Sequence, residues 1–234
     1  VKRKKSAIDV ILALETATRQ CSVALGTLDG VMARREARGE GYVHAERLHL
    51  LVAEVLEEAS CTWSDITEIR VGRGPGSYTG LRIGVSAAKG YAYARGIALT
   101  SANTLDVLVG MALAELEVAP QDCIAPVVDA RRMEVYTQVS NATGQVIQSP
   151  WAEIIESNSW SDYRSEGQTL WVVGDAAAKI QPLHWNCGKV TAVEMWPSAA
   201  ALLLLPPQLV QQEDVFSFEP YYLKDFVAVK PKGL

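Results

Sequence analysis

With 234 residues, a net charge of −5 and a pI near 5.3, the chain can build one large core or two small ones, and it is too acidic to grip nucleic acid unaided. No apolar run approaches the roughly twenty residues of a membrane span, and the first residues do not read as a signal peptide, so the cytoplasm is the expected compartment. Cys21, Cys61, Cys123 and Cys187 form no CxxC pair and no zinc-ligand spacing, and they read as reduced thiols.

The basic start VKRKK reads as a solvated tail. Strands are expected at 8–14, 20–26 and 31–37, joined by the turns ETATR and TLDG into an antiparallel meander. A helix follows over 44–59, with Leu48, Leu50, Leu51, Val52, Ala53, Val55 and Leu56 spread around most of its circumference. A helix that is apolar on several sides is buried on several sides. One face then serves the core and another a neighbouring subunit; a central core helix in a monomer is the alternative. His44 and His49 are five apart and point roughly 140° away from each other, which argues against shared metal ligation.

A strand near 68–72 runs into GRGPGSYTGLRIGVSAAKG, residues 72–90. Gly74, Pro75 and Gly76 supply a turn, and Ser77 is placed to cap a helix over 78–94. Along that helix Gly80, Gly84 and Ala88 form a ridge of small side chains on which another helix can approach closely. Arg82, Ser86 and Lys89 share a different face. Glu15, Thr16 and Thr18 in the first turn, with Gly74, Gly76 and Ser77 in this one, form a candidate nucleotide or phosphate loop, because helix N-termini attract anions. The spacing fits neither GxxxxGK[ST] nor GxGxxG, and a plain strand-to-helix turn is the alternative.

A strand at 97–100 and a helix from Thr104 to about Glu117 complete the first unit. Strands at 123–129, 134–140, 145–149, 169–174 and 189–193 then alternate with helices at 151–158, 175–181 and 198–205, repeating the order of the first half. Two tandem βββαβαβ units suggest the α/β architecture of actin and the sugar kinases, the second unit being reduced. The expected division is an N-terminal domain at 1–118, a smaller one at 119–206, and a tail at 207–234 that packs back on the body. In the second hairpin turn, DARRMEV, the charges of Asp129, Arg131, Arg132 and Glu134 are expected to pair among themselves. No complete set for nucleophilic or ATPase catalysis emerges.

The blocks ILALETATRQCSVAL, HAERLHLLVAEVL, GRGPGSYTGLRIGVSAAKG, VVDARRMEVY and EPYYLKDFVAVK, in this order over nearly the whole chain, closely resemble the TsaB (YeaZ) family. The resemblance implies a two-domain ASKHA fold and a non-catalytic partner of the transferase TsaD, which places threonylcarbamoyl on N6 of adenosine 37 in ANN-decoding tRNAs. The ATPase TsaE is a further implied partner, with a homodimer when the chain is alone. Transfer RNA would be met only through the complex, and the membrane not at all.

The catalytic siblings hold metal through a His-x-x-x-His motif, whose positions here look like Thr104 and Leu108, so no metal site and no catalytic residue are expected. No cofactor is required, although a nucleotide is conceivable at the joint interface. The expected partner-binding residues are His44, Leu48, Leu51, Val52 and Val55 on the first helix and Tyr78, Gly80, Arg82, Gly84 and Ala88 on the second. Two rivals, an ASKHA phosphotransferase using Asp129 and a glycoprotease-like metalloenzyme, rank below this reading.

Overall fold

The computed structural model describes residues 9–39, 43–181, 183–185 and 188–224. The basic run at 1–5, Cys187 and the end of the tail at 225–234 lie outside the described residues.

The first sheet has the order β11-β5-β4-β1-β2-β3. It comprises β1 (Val10–Glu15), β2 (Gln20–Thr27), β3 (Gly30–Arg38), β4 (Ile66–Gly72), β5 (Ala98–Ala102) and β11 (Gln211–Gln212). The sequence VILALE of β1 is buried at every position, as a central strand covered on both faces requires. On one face lie α1 (His44–Glu58) and α2 (Tyr78–Arg95). Leu48, Leu51, Val52, Val55 and Leu56 of α1 recur at helical spacing and fill the core against β1, β2 and β4. Ser77 caps α2, its hydroxyl accepting from the Gly80 N–H at 3.2 Å, and Gly96 ends it in the left-handed conformation at φ 63°.

The second sheet has the order β10-β9-β6-β7-β8. Its strands are β6 (Cys123–Asp129), β7 (Glu134–Asn141), β8 (Val146–Ile154), β9 (Thr169–Gly174) and β10 (Lys189–Glu194). Between the two sheets lie α3 (Thr104–Glu115) and α4 (Ala199–Leu203). Leu105, Leu108, Val109 and Ala112 of α3 pack with Ile124, Val128 and Val173 of the second sheet, while Val107 joins the core formed by the first sheet and α4. The Gln138 amide donates to Asp106 at 2.8 Å and ties β7 to α3.

Three expectations for the second half are corrected. Residues 151–158 do not form a helix: β8 runs on to Ile154, paired with Glu134 of β7. The apolar spacing of Trp151, Ile154 and Ile155 imitates a helix, but the open edge of β7 offers backbone partners that override it. Residues 175–181 hold one 3-10 turn, Ala177–Lys179. The helix near 198–205 is the single-turn α4, and it packs on the first sheet, not the second. Its N-terminal end is fixed by Ser22, which accepts from the Ala199 N–H at 2.9 Å, and its C-terminal end by the buried Arg70, which donates to the Leu203 carbonyl at 2.8 Å. The stretch expected to close the second domain at 206 therefore returns to the first, and β11 and the tail follow it there.

Candidate functional site

The glycine-rich turn is fastened on all sides by the chain itself. The Arg73 N–H donates to Ala102, the Gly74 carbonyl accepts from Thr104 at 2.9 Å, and the Ser77 N–H donates to Ala17 at 2.7 Å. A side chain at Gly76 would collide with the Ala17 carbonyl, one at Gly80 with the Thr16 carbonyl, and one at Gly84 with the Thr16 hydroxyl. The small-residue ridge of α2 thus exists to seat the β1–β2 turn, which corrects the expectation that Gly80, Gly84 and Ala88 face a partner helix; Ala88 is likewise fully buried in the core.

The same packing divides the candidate phosphate loop. Glu15 and Thr16 are 0 % exposed and Thr18 is buried, while Gly74 lies beneath Leu81 and the Tyr221 carbonyl. The carbonyls of Thr16 and Ala17 press on Gly80 and Gly76, while Thr18, Gly76, Ser77 and Thr79 remain on the wall of a cleft. Glu15 accepts from the Ala17 N–H at 2.9 Å and from the Thr104 hydroxyl at 3.2 Å. Burial still outweighs these bonds and pushes its carboxyl up to about 7. Thr104 is thus committed to Glu15, and Leu108 is buried in an apolar cluster. Among the described residues no group of three His, Cys, Asp or Glu side chains is placed to hold a metal ion.

A cleft of about 550 Å³ separates the β1–β2 turn from the β6–β7 turn, with Arg19, Ser77, Tyr78, Asp129, Asp175 and Tyr222 among its walls. The charges of the second turn do not pair among themselves as expected. Asp129 meets Lys179 at 2.8 Å, and Glu134 meets Lys224 at 2.7 Å. Asp175 accepts from the Asp129 N–H at 3.0 Å. Burial pushes Asp175 up to about 7, the neighbouring Asp129 carboxylate adding to the effect and Lys179 and Arg19 opposing it. Sequence reasoning missed Asp175 and Lys224, which reach the cleft from distant segments, and Lys179, which pairs with Asp129 behind them.

The helix pair α1–α2 sorts the expected partner-binding residues differently from the sequence. His44, Leu48, Leu51, Val52 and Val55 are buried against the chain's own sheet, since the residues of α1 most able to bury apolar area have taken the nearest core. His44 Nε2 lies 3.3 Å from the Gln20 carbonyl, and burial lowers its pKa. Arg82 is exposed and stands 4.1 Å over the Tyr78 ring. The outward faces include Glu46, His49, Leu50 and Ala53 on α1 and Thr79, Ser86, Gly90 and Ala94 on α2. Leu50 is 52 % exposed, and a Cβ at Gly90 would meet nothing within 4 Å among the described residues.

Residues 41–158 match a family model described as TsaD, tRNA N6-adenosine threonylcarbamoyltransferase. An uncharacterized Mycobacterium tuberculosis protein is 30 % identical over 200 residues, covering 85 % of this chain and 78 % of its own length. The Escherichia coli tRNA threonylcarbamoyladenosine biosynthesis protein TsaB is 28 % identical over 172 residues, covering 74 % of this chain and 62 % of its own. The structure of YeaZ from Pseudomonas aeruginosa superposes with a TM-score of 0.65 at 26 % identity, covering 83 % of this chain and 89 % of that one. Two α/β units, the glycine turn locked on the first hairpin, and these matches agree: the chain belongs to the TsaB/YeaZ family.

Proposed function

We propose that the chain is an accessory subunit of tRNA threonylcarbamoyladenosine synthesis, itself without catalytic residues, that docks on a TsaD-type transferase and activates it for transfer to N6 of adenosine 37 in ANN-decoding tRNAs. The observation that carries the docking is the outer face of α1–α2. A glycine in the middle of a helix costs about 1 kcal/mol relative to alanine, and among the described residues nothing lies within 4 Å of where a Cβ on Gly90 would stand. With Leu50 of α1 also exposed, that glycine suits close approach by a helix of another chain.

Catalysis by this chain is disfavoured on two grounds. Thr104 and Leu108 stand where the siblings' metal ligands are expected, and Asp129, the carboxylate a phosphotransferase would use, is ion-paired to Lys179 at 2.8 Å. The complex includes TsaE, acts in the cytoplasm and meets tRNA through the partner, and the same helical face forms a homodimer when the partner is missing. The chain needs no cofactor of its own; a nucleotide would sit at the joint interface. No helix among the described residues is long and apolar enough to cross a membrane.

The test combines the purified chain with a TsaD-type transferase, TsaE, threonylcarbamoyl-adenylate and substrate tRNA, each protein also being assayed alone. Modification and a heterodimer only in the mixture are expected. Modification by this chain alone would overturn the accessory role.

A further inference from the structure

Beyond β11 the chain runs along α2 and then reaches across the cleft. Phe218 is buried in the core of the first unit, and the carbonyls of Phe216 and Phe218 accept from Lys89 Nζ at 3.2 and 2.8 Å. The Tyr221 N–H donates to the Arg73 carbonyl at 2.8 Å, and its ring lies 5.2 Å from the Arg73 guanidinium. The Tyr222 ring packs on Tyr78 with centroids 5.1 Å apart, and its hydroxyl accepts from Arg82 at 3.4 Å. Two residues later Lys224 Nζ bonds both carboxylate oxygens of Glu134, at 2.7 and 2.8 Å, where β7 begins in the second unit. Tyr221, Tyr222, Leu223 and Lys224 all line the cleft.

We propose that residues 213–224 are a strap that fixes the width of the cleft by fastening the second unit to the outer side of α2. This does not rest on the identity of any partner. An exposed ion pair adds little stability by itself, but the aromatic anchors at 221 and 222 leave Lys224 little freedom, so its bond to Glu134 sets geometry. Tyr78, Arg82, Lys89 and Tyr93 form one stripe of α2, and all four meet the strap, Tyr93 through Phe216 with ring centroids 5.6 Å apart. Displacing that stripe therefore changes the cleft, and changing the cleft pulls on the stripe.

The experiment uses the full chain with spin labels on genetically encoded ketone residues at Arg95 and Glu156, both exposed and outside the cleft, leaving the native cysteines in place. Distance distributions are compared for the parent, Glu134→Gln and Tyr222→Ala, with circular dichroism confirming that each is folded. A narrow parental distribution is expected, with both variants broadened and displaced by about 3 Å or more, as for a released hinge. Unchanged distributions in both variants would overturn the strap. So would broadening in Tyr222→Ala alone, since the segment would then act only within the first unit; Glu134→Gln keeps the test valid if Tyr222→Ala does not fold.

Discussion

The Thr104 hydroxyl donates to the Glu15 carboxylate at 3.2 Å, joining the first residue of α3 to the last of β1 inside a region neither can leave. Glu15 is fully buried, and its carboxyl is raised from 4.5 to about 7. The folded chain therefore holds a proton between these values that the unfolded chain releases. Stability is greatest below about pH 4.5 as far as this group is concerned, falls as pH rises through the interval, and levels off above about 7. Glu15→Gln removes this dependence and is expected to be more stable than the parent at pH 8, by up to about 3 kcal/mol. The two should converge toward pH 5. Urea unfolding at both pH values measures it, and a parental advantage at pH 8 would contradict the account. Asp175, raised to about 7 by burial, contributes in the same direction and remains in the variant.

Gly84 lies over the Thr16 side chain. Gly84→Ala is expected to destabilise by about 1–3 kcal/mol despite the better helix former, because overpacking exceeds the propensity gain. Thr16→Ala should relieve most of the collision, so the two substitutions together should cost less than their sum. A double-mutant cycle by denaturant unfolding reads this coupling.

Gly90 separates docking from folding. Gly90→Leu should leave the melting temperature at or above the parental value, because its side chain meets open space. Association with the transferase should be weakened at least about tenfold, corresponding to 1.4 kcal/mol. Calorimetric titration checks the affinity, and parental binding would remove α2 from the docking face.

Arg70 is buried, ion-paired to Glu68 at 2.9 Å, and donates to the end of α4. Arg70→Ala leaves the Glu68 carboxylate and the Leu203 carbonyl without this donor and is expected to cost about 3–5 kcal/mol. Hydrogen exchange should show α4 opening before the strands of the first sheet.

The first unit was legible because β1 is an almost continuous apolar run and short turns join β1, β2 and β3, and Ser77 and Gly96 mark the limits of α2 by their own chemistry. The sequence also showed that Gly80 and Gly84 needed a close neighbour, but not which one, since Thr16 arrives from more than sixty residues upstream. The strands β6 and β9 were read with their observed limits, whereas the helix expected at 151–158 became part of β8. An apolar triplet does not specify its own period, and pairing with β7 decided the matter, leaving Ile154 exposed and Ile155 buried. The cleft was the least legible feature. The bond of Lys224 to Glu134 spans ninety residues of chain and leaves no local pattern.

Helix α3 belongs to both units at once, with Val107 turned to one core and Leu105, Leu108, Val109 and Ala112 to the other. The two sheets consequently cannot be cut apart as separate folding units. A fragment ending at Val118 would carry an uncovered apolar helix into water, and one beginning there would present Ile124, Val128 and Val173 with nothing to lie on. Recombination or fusion that exchanges one half of such a chain must carry α3 and its opposing sheet together, whatever the position of the linker.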